Sequence, residues 1–320
     1  MLFKVRNLFG ISLEKRYTFV SFLYFIIPVR FSLTGGCFNI SVTGGSFGAS
    51  FNLLGGNVRE ITEVGSSSLA KGESLADTAQ VLSGYSDIIV LRHPENGSVQ
   101  KFAEASRVPV INAGDGSNEH PSQALLDLYT IQKELSQNKK NLDNLRIALV
   151  GDLKYGRAVH SLCKILSKYS NVKMDLVSPE ELQLPEDLLN QLTGAGVSVN
   201  QTENLEEGIS EVDIIYVTRV QEERFNNKED ADKYRGLLSL NQSIYTANCE
   251  PNTVIMHPLP RDSRSDANEL DRDLYANPNL AIFRQADNGV VIRMAMFALV
   301  LGVEDKIEKT AKPVNWKVGL

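Results

Sequence analysis

The stretch DIIVLRHP at residues 87–94 has a near copy, DIIYVTRV, at residues 213–220. Each stretch begins with an acidic residue, continues as an uninterrupted apolar run and ends at an arginine, Arg92 or Arg219. Strands of a parallel sheet are covered on both faces, and their sequences are therefore apolar throughout rather than alternating. The two stretches predict buried strands, each with a cation where the strand ends.

Similar apolar runs recur along the chain, separated by segments with helical periodicity. The other runs are VPVIN (108–112), RIALVGD (146–152), VKMDLVS (172–178) and TVIMH (253–257), and the clearest helical segments are 72–85 and 120–135. Strands that alternate with helices predict an α/β fold with two doubly wound parallel-sheet domains. The polar segment SQNKKNLDN (136–144) is the best candidate for the linker between them.

Composition limits the classes of partner that we expect. A chain of 320 residues suits two domains of about 150 residues each, or one large domain. A net charge of −6 argues against a general nucleic-acid surface. The three cysteines are too few and too scattered for a disulfide framework or a zinc site, which favours a reducing, cytoplasmic location. The histidines show no metal-binding spacing, and we expect neither a metal nor a cofactor.

The N-terminal segment differs from the rest of the chain. Residues 1–51 are atypical: the first part is basic and contains the apolar run 18–29, which is too short to cross a bilayer as a helix. No clear signal-peptidase site follows that run, so we expect neither export nor membrane attachment. The Gly/Ser-rich stretch 32–56 shows no sustained helix or strand periodicity.

Polar residues follow the predicted strands, at the sheet edge where ligands bind in open α/β folds. A single arginine at a strand end is more often a salt-bridge partner than a binding residue. Here, however, five predicted strands are followed by polar residues, which favours a binding site. The side chains of Arg92, Arg157 and Arg219 match carboxylate or phosphate groups, and Lys71 adds a mobile positive charge. His120 precedes Pro121 at a helix start, where the helix dipole should keep its imidazole neutral. Gln123 follows on the same helix face, and such a polar pair is hard to justify in a core.

The sequence lacks four common motifs of hydrolases, metalloproteases and nucleotide-binding proteins. It contains no G-x-S-x-G elbow, Walker loop, H-E-x-x-H motif or G-x-G-x-x-G fingerprint. The candidates that remain are cations and neutral donors. Such a site suits transfer of a group between two anionic substrates by positioning and charge stabilisation.

Seven segments closely resemble the catalytic chains of the aspartate carbamoyltransferase family. They cover about residues 53–304 in the family's order: SSSLAKGESLADT, VLRHP, INAGDGSNEHPSQALLDLYTI, VGDLKYGRAVHSL, YVTRVQEER, MHPLPR and FRQADNGVVIRMA. The resemblance implies transfer of the carbamoyl group from carbamoyl phosphate to L-aspartate, in pyrimidine biosynthesis. It also implies a carbamoyl-phosphate domain at 52–135 to which 284–305 returns, an aspartate domain at 136–283 and a tail at 306–320.

The resemblance implies a role for each matching residue. Arg92, His120 and Gln123 should hold carbamoyl phosphate, with Arg92 and His120 polarising its carbonyl, while the backbone carbonyls of Leu259 and Pro260 accept from its NH₂ group. Arg157, Arg219 and Gln221 should bind aspartate. Ser67 and Lys71 should reach the neighbouring subunit's site, Lys71 as a catalytic and aspartate-binding residue, which implies a homotrimer with shared active sites. Attachment of regulatory chains or other enzymes of the pathway stays open.

The closest rival within the fold is ornithine carbamoyltransferase. That family typically has H-C-L-P where this chain has HPLP, with proline at 258, and it uses an S-M-G motif to bind ornithine. A cationic Arg219 suits a dicarboxylate and repels the ammonium group of ornithine. Aspartate is therefore the expected second substrate.

The resemblance fails at the phosphate-binding segment, Ser-Thr-Arg-Thr in the family. Aligned on LLGG at 53–56, Thr43 matches the last threonine, and Ser46 and Phe47 match the Ser-Phe pair that follows. Ile40 and Val42 replace the serine and the arginine. A gapped alternative uses Arg30 as the arginine. Three interpretations stay open: a misannotated start of an ordinary enzyme, an impaired enzyme, and a catalytically dead assembly or regulatory subunit.

Overall fold

The computed structural model describes residues 36–37, 42–61, 73–116, 118–225, 227–262, 264 and 267–306. Its strands are β1 (Gly36–Cys37), β2 (Glu60–Ile61), β3 (Ile89–His93), β4 (Val110–Asp115), β5 (Arg146–Val150), β6 (Lys173–Val177), β7 (Ser198–Thr202), β8 (Ile214–Val217) and β9 (Val254–Met256). Its α-helices are α1 (Val42–Leu53), α2 (Leu75–Leu82), α3 (Ser98–Ala105), α4 (Pro121–Gln137), α5 (Arg157–Leu166), α6 (Glu186–Gly194), α7 (Leu205–Gly208), α8 (Lys228–Asp232), α9 (Gln242–Asn248) and α10 (Ile282–Val300).

These elements form two compact units. One unit comprises described residues up to Ser122 and from Asp287 onward, and the other is Gln123–Ala286. The divisions therefore fall inside α4 and α10, both of which are continuous helices. The domain boundaries expected from the sequence, with a linker at 136–144, stay predictions.

In the first unit, β3 pairs in parallel with β4, and β1 pairs in parallel with β2. Strand β3 is covered on both faces, as its apolar sequence predicts: Val90 belongs to one buried cluster, and Ile89 and Leu91 belong to another. Helices α2 and α3 contribute to the second cluster through Ala79, Leu82, Val99 and Phe102.

Helix α1 was not expected from the sequence. Its glycine-rich sequence, VTGGSFGASFNL, has no apolar stripe of helical period. The helix is instead supported by Phe47 and Phe51, one turn apart, whose rings pack edge-on against Phe297 at centroid distances of 5.8 and 4.7 Å. The Ser50 hydroxyl donates to the carbonyl oxygens of Ser46 and Val290. Packing of two aromatic rings therefore outweighs the low helix propensity of glycine.

The second unit contains a five-stranded sheet in the order β7-β6-β5-β8-β9, with every pair parallel. The α/β fold with parallel sheets is thus confirmed. The chain adds β6 and β7 on one side of β5 and then returns to place β8 and β9 on the other side. The sheet's topological switch point lies between β5 and β8, where open α/β sheets bind ligands. Strand β7 was missed because it is a polar edge strand, SVNQT.

Among the described residues, no helix combines the length and apolarity needed to cross a membrane. The apolar run 18–29, a candidate membrane or signal segment by sequence, lies outside the described residues.

Candidate active site

Arg92 lies near the end of β3, half-buried, where hydrogen bonds join β3 to the end of β4. The Gly116 N–H donates to the His93 carbonyl oxygen at 2.9 Å. The carboxylate of Asp115 accepts the N–H groups of Gly97 at 2.9 Å and Val99 at 3.3 Å, at the start of α3. These bonds fix the loops that follow β3 and β4, because buried backbone donors need partners.

His120 directly precedes α4, as the sequence predicts, and it is buried. Its Nδ1 atom lies 3.3 Å from the hydroxyl of Ser122, which is also buried. The Ser122 hydroxyl can donate or accept, so this contact is available to either imidazole tautomer. The neutral imidazole expected from the helix dipole stays a prediction.

Gln123 follows in the first turn of α4, in the second unit. It is buried, and its Nε2 donates to Asp127 Oδ1 at 2.9 Å. The sequence made a polar pair at 120 and 123 hard to justify in a core, but Asp127, one turn later, supplies a buried partner for the Gln123 amide. A role for Gln123 in binding stays a prediction.

The loops that follow β5 and β8 are joined by Asp152, which is fully buried. Its Oδ1 accepts the N–H of Tyr155 at 2.9 Å, and its Oδ2 accepts the N–H of Gln221 at 3.0 Å. Burial raises the pKa of Asp152, and these backbone donors act in the opposite direction. Asp152 was not among the candidates, although an acidic residue two positions after the end of a buried strand was a signal for the position.

A close backbone approach completes this junction. Gly151 has φ of +116°, and a β-carbon there would lie 2.1 Å from the carbonyl oxygen of Thr218, at the end of β8. Only glycine fits such a position. Strands β5 and β8 are neighbours in the sheet. The loop after β5 leads to Arg157, the first residue of α5, and the loop after β8 carries Arg219 and Gln221.

Arg219 is held in a two-pronged ion pair. Its Nη1 and Nη2 donate to the Glu223 carboxylate at 3.1 and 2.6 Å. Burial alone would lower the pKa of Arg219, but the hydrogen bonds and charge of Glu223 raise it. The guanidinium group is thus a permanent cation that already binds one carboxylate in this structure.

The HPLP segment forms a turn after β9 with both imidazole nitrogens engaged. The Leu259 N–H donates to His257 Nδ1 at 2.9 Å, so that nitrogen is the acceptor and Nε2 donates to Glu269 Oε1 at 2.8 Å. Leu259 has φ of +55°, a conformation that costs a residue with a β-carbon about 1–2 kcal/mol. The bond to His257 supports this strained residue beside Pro260, whose peptide bond is cis.

Several predicted residues lie outside what the structure describes. Ser67 and Lys71 fall in the gap 62–72, and Ile40 falls in the gap 38–41. Val42 and Thr43 open α1, but their side chains are not described. Arg30 also precedes the described residues. Among these positions, the structure supports only the helical backbone at 42 and 43.

Two family models match nearly all of the regular part of the chain. The carbamoyl-P binding domain of aspartate/ornithine carbamoyltransferase matches residues 43–133, and the Asp/Orn binding domain of the same family matches residues 143–300. The chain belongs to the aspartate/ornithine carbamoyltransferase family. The resemblance read from the seven segments is thus confirmed.

Individual relatives narrow the similarity to one branch of the family. The aspartate carbamoyltransferase catalytic subunit of Saccharophagus degradans is 65% identical over 271 residues, which cover 85% of this chain and 80% of the relative. That of Cellvibrio japonicus is 66% identical over the same shares. The solved catalytic subunit of aspartate transcarbamoylase from M. jannaschii superposes with a TM-score of 0.75 at 42% identity, covering 86% of each chain.

A solved structure of aspartate transcarbamoylase from Trypanosoma cruzi in complex with carbamoyl phosphate is also similar. It has a TM-score of 0.75 and 37% identity, with 83% of each chain covered.

Proposed function

We propose that this chain transfers the carbamoyl group of carbamoyl phosphate to the amine of L-aspartate, giving N-carbamoyl-L-aspartate and phosphate. The observation that carries the proposal is the junction at the switch point of the five-stranded sheet. There Asp152 holds together the loops that carry Arg157, Arg219 and Gln221. Two arginines on adjoining loops suit a substrate with two carboxylates.

Carbamoyl phosphate is bound by groups that donate hydrogen bonds to it or accept them from it, and none of these groups forms a covalent bond with the substrate. Arg92 and His120 polarise the carbonyl and stabilise the oxyanion of the tetrahedral intermediate. Gln123 and the backbone carbonyls of Leu259 and Pro260 bind the carbamoyl NH₂ group. The departing phosphate takes the amine proton of aspartate, because His120 is already assigned to the carbonyl oxygen.

We expect the chain to prefer aspartate to ornithine because Arg219, on the loop after β8, is positively charged. Arg219 is a permanent cation, with its pKa raised by Glu223, and it repels an ammonium group while attracting a carboxylate. Proline at 258, in place of the cysteine typical of ornithine enzymes, agrees with this choice.

Assembly and location follow from the family resemblance and the chemistry of the chain. We propose a homotrimer in which Ser67 and Lys71 enter the neighbouring subunit's site. Sedimentation at micromolar concentration tests it, because a chain of 35.4 kDa that stays monomeric contradicts a shared site. The free thiols of Cys163 and Cys249 agree with a reducing cytoplasm.

A test of the proposed reaction compares the two amine substrates on purified chain. We expect carbamoylaspartate from carbamoyl phosphate and L-aspartate, and no citrulline when L-ornithine replaces aspartate. Isothermal titration with carbamoyl phosphate distinguishes the alternatives that Val42 raises. Binding without turnover indicates an impaired enzyme, and neither binding nor turnover indicates a non-catalytic subunit.

A further inference from the structure

Asp127, on α4, is a fully buried carboxylate to which no role has yet been assigned. Three buried side chains donate to it. Oδ1 accepts from Gln123 Nε2 at 2.9 Å and from Gln285 Nε2 at 2.6 Å, and Oδ2 accepts from the Tyr216 hydroxyl at 2.7 Å. A buried carboxylate is costly unless donors surround it, and this one draws donors from α4, α10 and β8.

The first consequence concerns the orientation of Gln123. A carboxamide has a donor end and an acceptor end. Since Nε2 of Gln123 is directed to Asp127, its Oε1 is the end left to meet another group. Reversing the amide would place Oε1 against a carboxylate oxygen, two acceptors in contact. Asp127 therefore makes Gln123 present an acceptor, which suits an NH₂ group.

The second consequence concerns the turn after β9. Gln285 also has its Nε2 on Asp127, and its Oε1 accepts the His257 N–H at 2.9 Å. His257 Nδ1 in turn accepts the Leu259 N–H. A continuous series of hydrogen bonds thus leads from Asp127 to the backbone whose carbonyl oxygens, at Leu259 and Pro260, are also assigned to the NH₂ group.

We propose that Asp127 is a positioning residue for the carbamoyl group: it aims the Gln123 carboxamide directly, and the 257–260 turn through Gln285, so that their oxygens converge on the carbamoyl N–H bonds. The ligand's identity rests on the proposed function, whereas the positioning is a property of the second unit itself. Tyr216 contributes only to the other oxygen of Asp127. Its pKa is raised well above the usual value by burial and by Asp127, and the hydroxyl therefore remains a donor.

This arrangement supplies a matched control. Tyr216→Phe removes a buried hydrogen bond from Asp127 without touching the two carboxamides, and Asp127→Leu removes the three hydrogen bonds described above in a similar volume. A merely structural carboxylate predicts that both variants lose stability and that neither changes substrate affinity. The positioning role predicts that only Asp127→Leu weakens carbamoyl phosphate binding.

The experiment measures the dissociation constant of carbamoyl phosphate by calorimetry and follows urea unfolding for each variant. We expect Asp127→Leu to weaken binding about tenfold or more, since two acceptors lose their aim. We expect Tyr216→Phe to stay within about twofold while unfolding at lower urea. Asp127→Asn should fall between them, because its oxygen can still accept from both carboxamides while its NH₂ faces the Tyr216 hydroxyl.

Gln285→Met is the substitute variant for this test if Asp127→Leu does not fold. It keeps the carboxylate and cuts the link to the turn, and we expect binding about threefold weaker or more. Affinity within twofold of wild type in folded Asp127→Leu, or in Gln285→Met if the former is unfolded, overturns the proposal.

A crystal structure of the same variant separates this inference from the proposed function. If wild type binds no carbamoyl phosphate, the proposed function fails, and the coordinates alone decide the inference. Altered orientation of the Gln123 amide in Asp127→Leu, or of the 257–260 turn in Gln285→Met, then supports it. Unchanged positions overturn it.

Discussion

The carboxylate of Asp152 accepts the backbone N–H of Gln221 at 3.0 Å, across a sequence separation of 69 residues. The bond joins the loop after β5 to the loop after β8, at the point where the order of the sheet reverses. Its partner bond, from the Tyr155 N–H, fixes the approach to Arg157. One buried side chain thereby sets the spacing of the loops on which the predicted aspartate-binding residues lie.

Asp152→Asn should weaken aspartate binding. The amide keeps one acceptor, so either Tyr155 or Gln221 must face an NH₂ group with its own N–H, and a buried donor left without an acceptor costs about 1–3 kcal/mol. We expect KM for aspartate to rise about tenfold, with the dissociation constant of carbamoyl phosphate within about twofold of wild type. Steady-state kinetics and calorimetry measure the two quantities.

Asp175→Asn is the matched control for that change. Asp175 lies on β6 of the same sheet, and its carboxylate accepts from the side chain of Asn200 rather than from a strand-end loop. The same change of charge should leave KM for aspartate unaltered. Equal effects at 152 and 175 would show that loss of charge, not loss of the loop junction, weakens aspartate binding.

The Arg219–Glu223 pair should make stability depend on pH only in acid. Burial alone would raise the pKa of Glu223, but the hydrogen bond from Arg219 brings it below the ordinary value of 4.5. A carboxylate with a depressed pKa stabilises the fold above the unfolded-state value, and this contribution is lost as pH falls through the folded-state value. From pH 8 to about pH 5, we expect the free energy of unfolding of wild type to exceed that of Glu223→Gln by about 0.5 kcal/mol. The difference is small because the pair is partly exposed to solvent.

Below about pH 4.5 the difference in unfolding free energy between the two proteins should shrink toward zero. Urea unfolding at a series of pH values measures it. A difference that grows as pH falls from 5 to 3 contradicts the assigned direction of the pKa shift.

Phe47→Ala should destabilise the first unit strongly. Phe47 is fully buried against Phe297, and truncating a buried phenylalanine costs about 3–5 kcal/mol. Denaturant unfolding followed by circular dichroism measures the loss. Asn52→Ala, on the exposed side of the same helix, is the control and should have little effect. Equal stability of wild type and Phe47→Ala would mean that α1 does not pack as described.

Restoring the family's phosphate motif should strengthen carbamoyl phosphate binding. The triple change Ile40→Ser, Ser41→Thr and Val42→Arg recreates Ser-Thr-Arg-Thr at 40–43, of which the last two positions open α1. One charge-assisted contact contributes about 1.5–3 kcal/mol, or roughly tenfold to a hundredfold in affinity. Val42→Leu alone controls for side-chain size. Calorimetry that finds no gain would show that the difference from the family extends beyond these side chains.

The sequence predicted the strands of the parallel sheets well because burial on both faces leaves an apolar run, as in 87–91 and 212–218. It missed β7, because this strand lies at the edge of the sheet and its sequence, SVNQT, is polar rather than an apolar run. It also missed α1, where Phe47 and Phe51 gain their stabilisation from Phe297, far along the chain. Local patterns do not contain such a distant partner.

The same limit applies to the candidate site. Arg92, Arg157 and Arg219 were proposed as site residues from their positions at or after predicted strands, and their roles stay predictions. Asp152 also follows a predicted strand, but its role and that of Asp127 depend on donors from elements distant in sequence, which position alone does not reveal. Sequence position therefore yields candidates for ligand binding more readily than it yields the residues that would orient them.

The most direct test of the central claim is the yield of N-carbamoyl-L-aspartate from purified chain at saturating carbamoyl phosphate and L-aspartate. We expect continuous turnover, with one phosphate released for each carbamoylaspartate formed and with turnover greatly reduced in Arg219→Gln. Phosphate release without carbamoylaspartate, or equal product from wild type and Arg219→Gln, would contradict it.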